Sequence, residues 1–327
     1  MQNSVSVVVA ARLHLGFLDL HGGLGRRFGG IGLALDEPTT QLELSRGATD
    51  VATGPQAERA LRYLNVLASA LAIAPGHKVS VTQAIPAHAG LGSGTQLALA
   101  VAAALRRLHG LDPDTTADVV RLDRAARSGL GASLFLGGGL ALDGGRAENG
   151  PPAPTITRLP FPEEWRVLLI LDPARQGAHG KEEAEAFAAL PEFPAALAAH
   201  LCRIAVMQAL PALAERDLTG FGSAITTIQN HVGDYFSLVQ GGRYSSPGVA
   251  AVIDMLGRSG VDGYGQSSWG PTGFAFLASQ EEARSVYDRA LPLALRSGLK
   301  LEVVKGRNIG AAVSAPQCAA GERGRHA

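Results

Sequence analysis

The sequence predicts an α+β protein built from two lobes. Its 327 residues suit one large domain or two smaller lobes. Hydrophobic residues make up 46% and charged residues 18%, which is enough apolar material for packed cores and excludes disorder over most of the chain. Short strand patterns alternate with helical patterns along the whole length, and this mixture is typical of α+β folds.

Charge and composition exclude several classes of function. Lys+Arg and Asp+Glu both number 29, so the formal net charge is +0, which argues against a general nucleic-acid-binding protein. The longest apolar run, 97–105, is too short to span a bilayer and is followed by Arg106 and Arg107. Cys202 and Cys318 show no metal-binding spacing. We therefore expect a soluble cytoplasmic protein that binds neither nucleic acid nor membrane.

The first half of the chain begins with β-branched residues, which favour a strand. Leucines at 61, 64, 67 and 71 have the spacing of a helix. In chain order we predict a strand over 4–9 that continues toward Leu15, a Gly-rich stretch over 21–30, and strands over 31–35 and 39–44 that are broken by Pro38. A helix over 58–72 and a strand over 78–83 follow. The remaining elements are a helix ending near His109, a helix over 114–128 and a Gly-interrupted strand over 134–143.

The Pro-rich segment 149–162 lacks a helical period and marks the boundary between lobes, although 155–159 could form a last strand of the first lobe. We therefore predict a first lobe over 1–160, a second lobe over 161–320 and a disordered tail over 321–327. For the second lobe we predict strands over 167–171, 273–278 and 301–304, and helices over 182–190, 193–215 and 249–259.

The strongest local motif is Gly90-Leu91-Gly92-Ser93-Gly94-Thr95, which lies between a predicted strand and a predicted helix. Glycines let the backbone approach an anion closely, and a helix start offers unpaired N–H groups and a positive dipole end. The alternative is a simple turn with Thr95 as the helix cap. The loop holds no lysine, which argues against an ATPase of the P-loop type.

Two further segments carry polar groups beside glycines. In the first strand, Arg12, His14 and Gly16 share a face, and Asp19 lies near the strand end. The segment 264–273 contains small and hydroxyl residues that suit a ligand loop. The alternatives are a core histidine at position 14, a turn residue at position 19 and an ordinary connecting loop.

Metal-binding motifs are weak. The nine histidines are scattered without an HExxH pattern or a Cys/His pair. The sequence leaves open the possibility that a Mg²⁺ ion binds through the phosphates of a substrate.

The three loops, in this order, resemble those of the GHMP kinase superfamily, with its motifs matched by 12–22, 86–96 and 265–273. Within it, the segments Arg12 to Leu20, Gly90 to Leu97, 127–131, 177–183 and Gln266-Ser267-Ser268-Trp269-Gly270-Pro271-Thr272-Gly273 look like the β-ribofuranosylaminobenzene 5′-phosphate synthases. The resemblance implies a GHMP-kinase-like two-lobe fold, with an N-terminal ribosomal-protein-like βα lobe and a C-terminal ferredoxin-like lobe.

This family joins phosphoribosyl diphosphate to 4-aminobenzoate or 4-hydroxybenzoate and releases CO2 and diphosphate, in the synthesis of methanopterin-type carriers. The resemblance therefore implies a decarboxylating glycosyltransferase that needs Mg²⁺, and a homodimer. Two alternatives are an ATP-dependent small-molecule kinase and a catalytically silent binding protein of the same fold. The Ser267–Gly273 run argues against the kinase, because GHMP kinases usually carry a plain glycine-rich motif there.

Site residues follow from the resemblance. Asp19 would stabilise the oxocarbenium-like centre, and Arg12 or Arg26 would bind a carboxylate or phosphate. Arg175, Lys181 and Arg243 are further candidates for phosphate contacts. The catalytic candidates are Asp19, Arg26, Arg12 and His14, and the candidates for substrate and phosphate binding are Gly90, Gly92, Ser93, Gly94, Thr95, Gln96, Ser267, Ser268, Trp269, Gly270 and Thr272.

Overall fold

A computed structural model describes residues 3–178 and 180–314. In this part of the chain the strands are β1 Ser4–Asp19, β2 Phe28–Arg46, β3 Val51–Thr53, β4 His77–Gln83, β5 Leu140–Asp143, β6 Thr155–Leu159, β7 Arg166–Leu171, β8 Tyr264–Gln266, β9 Gly273–Leu277, β10 Lys300–Val304 and β11 Ala312–Ser314. The helices are α1 Ala57–Ala70, α2 Ser93–Leu108, α3 Thr115–Arg121, α4 Leu130–Gly137, α5 Gly180–Ala189, α6 Ala195–Ile204, α7 Leu210–Ala214, α8 Leu218–Gln240, α9 Pro247–Arg258 and α10 Gln280–Arg296, with a π-helical turn Ala205–Ala209 between α6 and α7.

The first lobe is built on a sheet with the strand order β11-β1-β2-β4-β3, and β5 pairs with both β2 and β6. Val5, Val7 and Val9 of β1 are buried at every second position, which is the period of a strand with one covered face. Helices α1 and α2 cover that face and form the first core with β1, β2 and β4.

The second lobe is built on a sheet with the order β10-β7-β9-β8. Its central strand β7 is buried on both faces: Val167 and Leu169 face one core, and Leu168 and Ile170 face another. Helices α9 and α10 cover the second of these faces. The apolar run of β7 is therefore explained by burial on both sides.

Helix α8 lies between the two sheets and packs against β1 and β8. Phe221, Ile225, Ile228 and Val232 are buried along one stripe at helical spacing. The helix is missing from the sequence prediction, since its glycines and threonines have weak helix propensity. Burial of that stripe stabilises the helix instead.

Three predicted elements differ from the structure. Strand β2 runs unbroken through Pro38, because an irregularity in its pairing with β1 lies between Ala10 and Arg12, opposite the proline. The helix predicted over 114–128 is only α3, and it starts with an Asp114 side-chain cap. The strand predicted over 134–143 is helix α4 followed by β5.

The chain crosses between the lobes twice. The first crossing follows β6, and the second leads from β10 to β11, which pairs with β1 in the first sheet. Asn308 on the second crossing bonds Phe161 on the first, accepting from its N–H at 2.7 Å and donating to its carbonyl oxygen at 2.9 Å. The division at residue 160 stays a prediction, and the last strand returns to the first lobe. The tail 321–327 lies outside the described residues.

One helical stretch, Ala195–Ala214, is long and apolar enough by length and composition to cross a membrane. Leu201, Ala205 and Ala209 of this stretch are buried in the core between the lobes. About 39% of its most apolar window is buried, and Val206 and Met207 are exposed.

Candidate active site

The Gly90–Thr95 loop leads directly into α2, and Gly92 is the residue that precedes the helix. Gly90 and Gly92 have φ of 83° and 78°, which is the left-handed region that glycine adopts without strain. No side chain caps this helix start, so Thr95 is not the cap of the alternative considered above. The open N–H groups and the helix dipole could stabilise an anion, and anion binding here stays a prediction.

Arg12 lies against this loop. Its Nη1 donates to the Gly90 carbonyl oxygen at 2.6 Å, and its backbone N–H donates to the Leu91 carbonyl oxygen at 3.1 Å. A Cβ atom added at Gly92 would lie 2.9 Å from Arg12 Cγ, so only glycine leaves room for the side chain. Burial lowers the pKa of Arg12 to about 10, and the nearby Glu183 carboxylate opposes this shift. The guanidinium is therefore a cation at neutral pH.

His14 connects the first strand to the third loop. Its backbone N–H donates to Ser267 Oγ at 3.0 Å, and Ser267 Oγ donates to the Gly90 carbonyl oxygen at 2.8 Å. The backbone N–H groups of Arg12 and His14 thus bond to the two loops, along one edge of β1. The strand, the Gly90–Thr95 loop (named the phosphate loop after its predicted role) and the third loop, residues 265–273, form one hydrogen-bonded unit.

The imidazole of His14 is neutral and buried. Burial, assisted by the charge of Arg12, lowers the pKa of His14 to about 3. Nδ1 accepts from the Gly16 N–H at 3.3 Å, which places the ring proton on Nε2. Nε2 is buried and has no hydrogen-bond partner among the described residues. His14 can therefore donate a hydrogen bond, and it is not a general base at neutral pH.

The third loop packs tightly on the phosphate loop. A Cβ atom on Gly270 would lie 2.2 Å from the Gly90 nitrogen, and one on Gly90 would lie 2.2 Å from the Ser267 carbonyl oxygen. Ser268 has a φ of 56°, and the Thr272 carbonyl oxygen accepts from the Ser267 N–H at 2.9 Å. The predicted third motif is therefore part of the wall that shapes the phosphate loop.

Trp269 belongs to an aromatic cluster between the lobes. Its ring lies 4.5 Å from the Phe236 ring and 5.2 Å from the Phe187 ring, measured between centroids. His14 and Trp269 also line a cavity of about 20 Å³. Such a volume admits about one water molecule and not a benzoate ring.

Helix α5 carries charges to the site. Glu183 pairs with Arg127 at 2.8 Å, and Arg127 lies 4.6 Å over the Phe187 ring. The same carboxylate acts electrostatically on Arg12. Helix α5 therefore provides a negative charge that raises the pKa of Arg12 against the effect of burial.

Thr95 and Gln96 face the start of α4. Gln96 is buried, and its Nε2 donates to the Gly131 carbonyl oxygen at 3.0 Å. A Cβ atom on Gly131 would lie 2.7 Å from Thr95 Cγ2. Ser93 is buried and Gly94 lies in the first helical turn. Gln96 thus fixes the loop to α4, while Ser93 and Gly94 lie at the open helix end.

Asp19 and Arg26 hold turns of the first lobe. Oδ1 of Asp19 accepts from the His21 N–H at 2.9 Å and the Gly22 N–H at 2.8 Å, and Oδ2 accepts no hydrogen bond from residues 3–178 or 180–314. Arg26 is exposed, and it donates to the Gly144 and Gly145 carbonyl oxygens at 2.9 and 2.7 Å. The substrate roles of both residues stay predictions.

Among the further candidates for phosphate contacts, Arg243 is already neutralised, because it forks onto Asp234 at 2.7 and 2.9 Å. Arg175 donates to the Ser245 carbonyl oxygen at 3.0 Å. The side chain of Lys181 lies outside the part of the chain that is described.

Gln229 of α8 is a site-forming residue that the sequence did not reveal. It is buried, its Nε2 donates to the Leu15 carbonyl oxygen at 2.8 Å, and its Oε1 accepts from the Gln266 N–H at 2.8 Å. It therefore joins β1 to the start of the third loop. A glutamine within an apolar helical stripe is the one feature that could have indicated it.

Family models and solved structures show which fold this chain has. The model of the GHMP kinases N terminal domain matches residues 57–139, and the GHMP kinases C terminal model matches residues 209–292. A homoserine kinase from Cytophaga hutchinsonii superposes with a TM-score of 0.69 at 20% identity and covers 96% of this chain and 98% of its own. Mevalonate-3-kinase from Thermoplasma acidophilum superposes with a TM-score of 0.67 at 16% identity and covers 97% and 100%.

Sequence relatives narrow the assignment. A Beta-ribofuranosylphenol 5′-phosphate synthase from Archaeoglobus fulgidus is 33% identical over 287 residues, which cover 82% of this chain and 86% of the relative. One of the same name from Methanocaldococcus jannaschii is 30% identical over 313 residues, covering 85% and 92%. The chain therefore has a GHMP kinase fold and belongs to the beta-ribofuranosylphenol 5′-phosphate synthase family.

Proposed function

We propose that this enzyme condenses phosphoribosyl diphosphate with 4-hydroxybenzoate or 4-aminobenzoate, releasing CO2 and diphosphate. The names of the relatives specify a phenol product, which favours 4-hydroxybenzoate. The observation that carries the proposal is the Arg12 guanidinium, held at 2.6 Å by the Gly90 carbonyl oxygen beside the uncapped start of α2. A cation at an open helix start suits a polyanionic donor.

The chemistry divides into bond changes that the site can assist. The bond between C1 of ribose and diphosphate breaks, and the ring carbon bearing the carboxylate bonds to C1. The carboxylate then leaves as CO2, and its bonding electron pair restores the aromatic ring. Arg12 and the N–H groups at Ser93 and Gly94 would bind the departing diphosphate, whose negative charge grows in the transition state.

Asp19 and His14 would act on other parts of the reaction. In this proposal the Asp19 carboxylate stabilises the positive charge that develops at C1. His14, with its proton on Nε2, supplies a hydrogen-bond donor at the wall of the site. Arg26 is the alternative cation for the benzoate carboxylate or a phosphate, since its guanidinium is exposed at the edge of a groove of about 540 Å³.

The family resemblance also implies Mg²⁺. Within residues 3–178 and 180–314, no three His, Cys, Asp or Glu side chains come together as a metal site. We propose that Mg²⁺ enters with the diphosphate, as is common for phosphate substrates.

Release of CO2 from carboxyl-labelled 4-hydroxybenzoate and 4-aminobenzoate tests the proposal, with and without ATP. Release that needs phosphoribosyl diphosphate and ignores ATP is expected, and the better acceptor is identified in the same assay. ADP formation from ATP with small alcohols, and no CO2, would instead indicate a GHMP-type kinase. Arg12→Gln, which removes the charge, should lose most activity, whereas the exposed Arg62→Gln should keep it.

We also propose a homodimer in the cytoplasm, on the family resemblance. Sedimentation equilibrium would measure the mass of the assembly, and fractionation of cells would locate the enzyme. A monomer, or activity in a membrane fraction, would contradict these two expectations.

A further inference from the structure

Two arginines from distant segments share one buried hydroxyl beside the phosphate loop. Arg59 lies on α1, and Arg124 follows α3. Arg59 Nε donates to the Tyr63 hydroxyl at 3.1 Å, and Arg124 Nη2 donates to it at 2.6 Å. Tyr63 is only 6% exposed, so its hydroxyl holds both guanidinium groups at a fixed place.

That place is the first turn of α2. A Cβ atom added at Gly94 would lie 2.8 Å from Arg59 Nη2 and 3.6 Å from Arg124 Nη1. Arg12 occupies the other side of the loop, 2.9 Å from the corresponding position at Gly92. Three guanidinium groups thus surround the two glycines at the start of this helix.

Neither Arg59 nor Arg124 forms an ion pair with a carboxylate among the described residues, whereas Arg106 and Arg243 each pair with an aspartate. Arg124 Nε is also buried and has no hydrogen-bond partner within residues 3–178 and 180–314. Two like charges at the positive end of a helix repel each other and the dipole. A bound anion would remove this repulsion.

We propose that Arg59 and Arg124, positioned by Tyr63, form a second anion subsite that binds a phosphate group of the phosphoribosyl donor. The inference rests on the proposed function and extends it. The donor carries a diphosphate at C1 and a phosphate at C5, so it requires more positive charge than Arg12 alone offers. The planar guanidinium forks suit phosphate oxygens.

Calorimetric titration of the purified enzyme with ribose 5-phosphate and, separately, with pyrophosphate tests the subsite. The double variant Arg59→Ala/Arg124→Ala should bind at least one of them about tenfold or more weakly. A loss for ribose 5-phosphate assigns the C5 phosphate, and a loss for pyrophosphate assigns the diphosphate. Arg62→Ala, an exposed arginine one turn further along α1, is the matched control and should bind both normally.

Steady-state kinetics provide a second readout. The double variant should raise KM for phosphoribosyl diphosphate by about tenfold or more while KM for the benzoate stays near the wild-type value. Tyr63→Phe keeps both charges but removes the shared hydroxyl, so a smaller increase is expected. If the alanine pair does not fold, Arg59→Gln/Arg124→Gln removes the charges with little change in side-chain length and carries the same expectation.

The outcomes separate the subsite from the overall function. Wild-type turnover with unchanged binding and KM in the folded double variant overturns the subsite and leaves the proposed function standing. A wild-type enzyme that binds neither probe and does not use phosphoribosyl diphosphate overturns both.

Discussion

The Ser267 hydroxyl donates to the Gly90 carbonyl oxygen at 2.8 Å and joins two loops that lie 177 positions apart in the sequence. The same carbonyl accepts from Arg12 Nη1, and the same hydroxyl accepts from the His14 N–H. The Ser267 hydroxyl therefore connects the phosphate loop, the first strand and the third loop. Its removal should disturb all three.

Ser267→Ala should lower the free energy of unfolding by about 1–3 kcal/mol, because the buried His14 N–H loses its acceptor. Denaturation in urea measures the change. Ser259→Ala removes an exposed hydroxyl and should change stability by less than about 0.5 kcal/mol. Equal losses in the two variants would show that the bond to His14 contributes nothing.

Gly90→Ala should abolish turnover, since its Cβ atom would lie 2.2 Å from the Ser267 carbonyl oxygen and force the loops apart. Gly260→Ala is the matched control: its φ of 80° is close to the 83° of Gly90, and no atom lies within 4 Å of the added Cβ. It should cost about 1 kcal/mol from backbone strain alone and keep activity. Turnover assays and thermal melts on both variants show whether the loss in Gly90→Ala comes from the collision with the Ser267 carbonyl oxygen or from backbone strain.

Asp19→Asn separates the charge of this residue from its role in the turn, because the amide oxygen can still accept from the His21 and Gly22 N–H groups. If the charge stabilises the reacting centre, kcat should fall by about 100-fold or more while KM for phosphoribosyl diphosphate changes little. Asp19→Ala should in addition lose about 1 kcal/mol of stability. Normal kcat in the asparagine variant would limit Asp19 to the turn.

His14 should make the fold sensitive to acid. Its pKa falls from 6.5 to about 3 on folding, so the unfolded chain takes up a proton first as pH decreases. The stability linked to neutral His14 is complete above about pH 6.5 and declines toward pH 3, with about 2 kcal/mol lost at pH 5.

Urea denaturation at pH 7.5 and pH 5.0 measures this loss. His14→Gln should show a smaller difference between the two pH values than the wild type. His200→Gln changes an exposed histidine and should keep the wild-type difference. An identical acid loss in His14→Gln would contradict the burial effect. No step in kcat near neutral pH should arise from His14.

Chelation with EDTA should stop CO2 release, and added Mg²⁺ should restore it. Because the described residues form no cluster that could hold a metal, the activating Mg²⁺ concentration should follow the concentration of phosphoribosyl diphosphate. Calorimetry with Mg²⁺ and the free enzyme should show no tight binding. Stoichiometric binding without substrate would indicate a metal site made by the protein.

The sequence predicted the first strand, the glycine-rich turn before α2 and the central strand of the second lobe, because each has a clear local pattern. It did not predict α8, whose glycines and threonines hide a buried stripe that only the two surrounding sheets explain. It also broke β2 at Pro38, since no local pattern shows the shift in the β1–β2 pairing that places residues 35–38 opposite Ala11 alone. Long-range packing decided both elements.

The site residues likewise divide into those that a local sequence pattern reveals and those that only the folded structure brings to the site. The glycines of the loops are visible in the sequence because they follow one another, and Arg12 stands in a recognisable motif. Gln229, Arg59 and Arg124 stand alone in helical or irregular segments and contact the loops only after folding. No local pattern could place these three side chains there.

The paired crossings between the lobes have a mechanical consequence. Because Asn308 ties the second crossing to Phe161 on the first through two hydrogen bonds, the two crossings are held together as one connection. The Ser267–Gly90 hydrogen bond and a core shared by both lobes join them at further places. We therefore expect the lobes to resist separation and to unfold together.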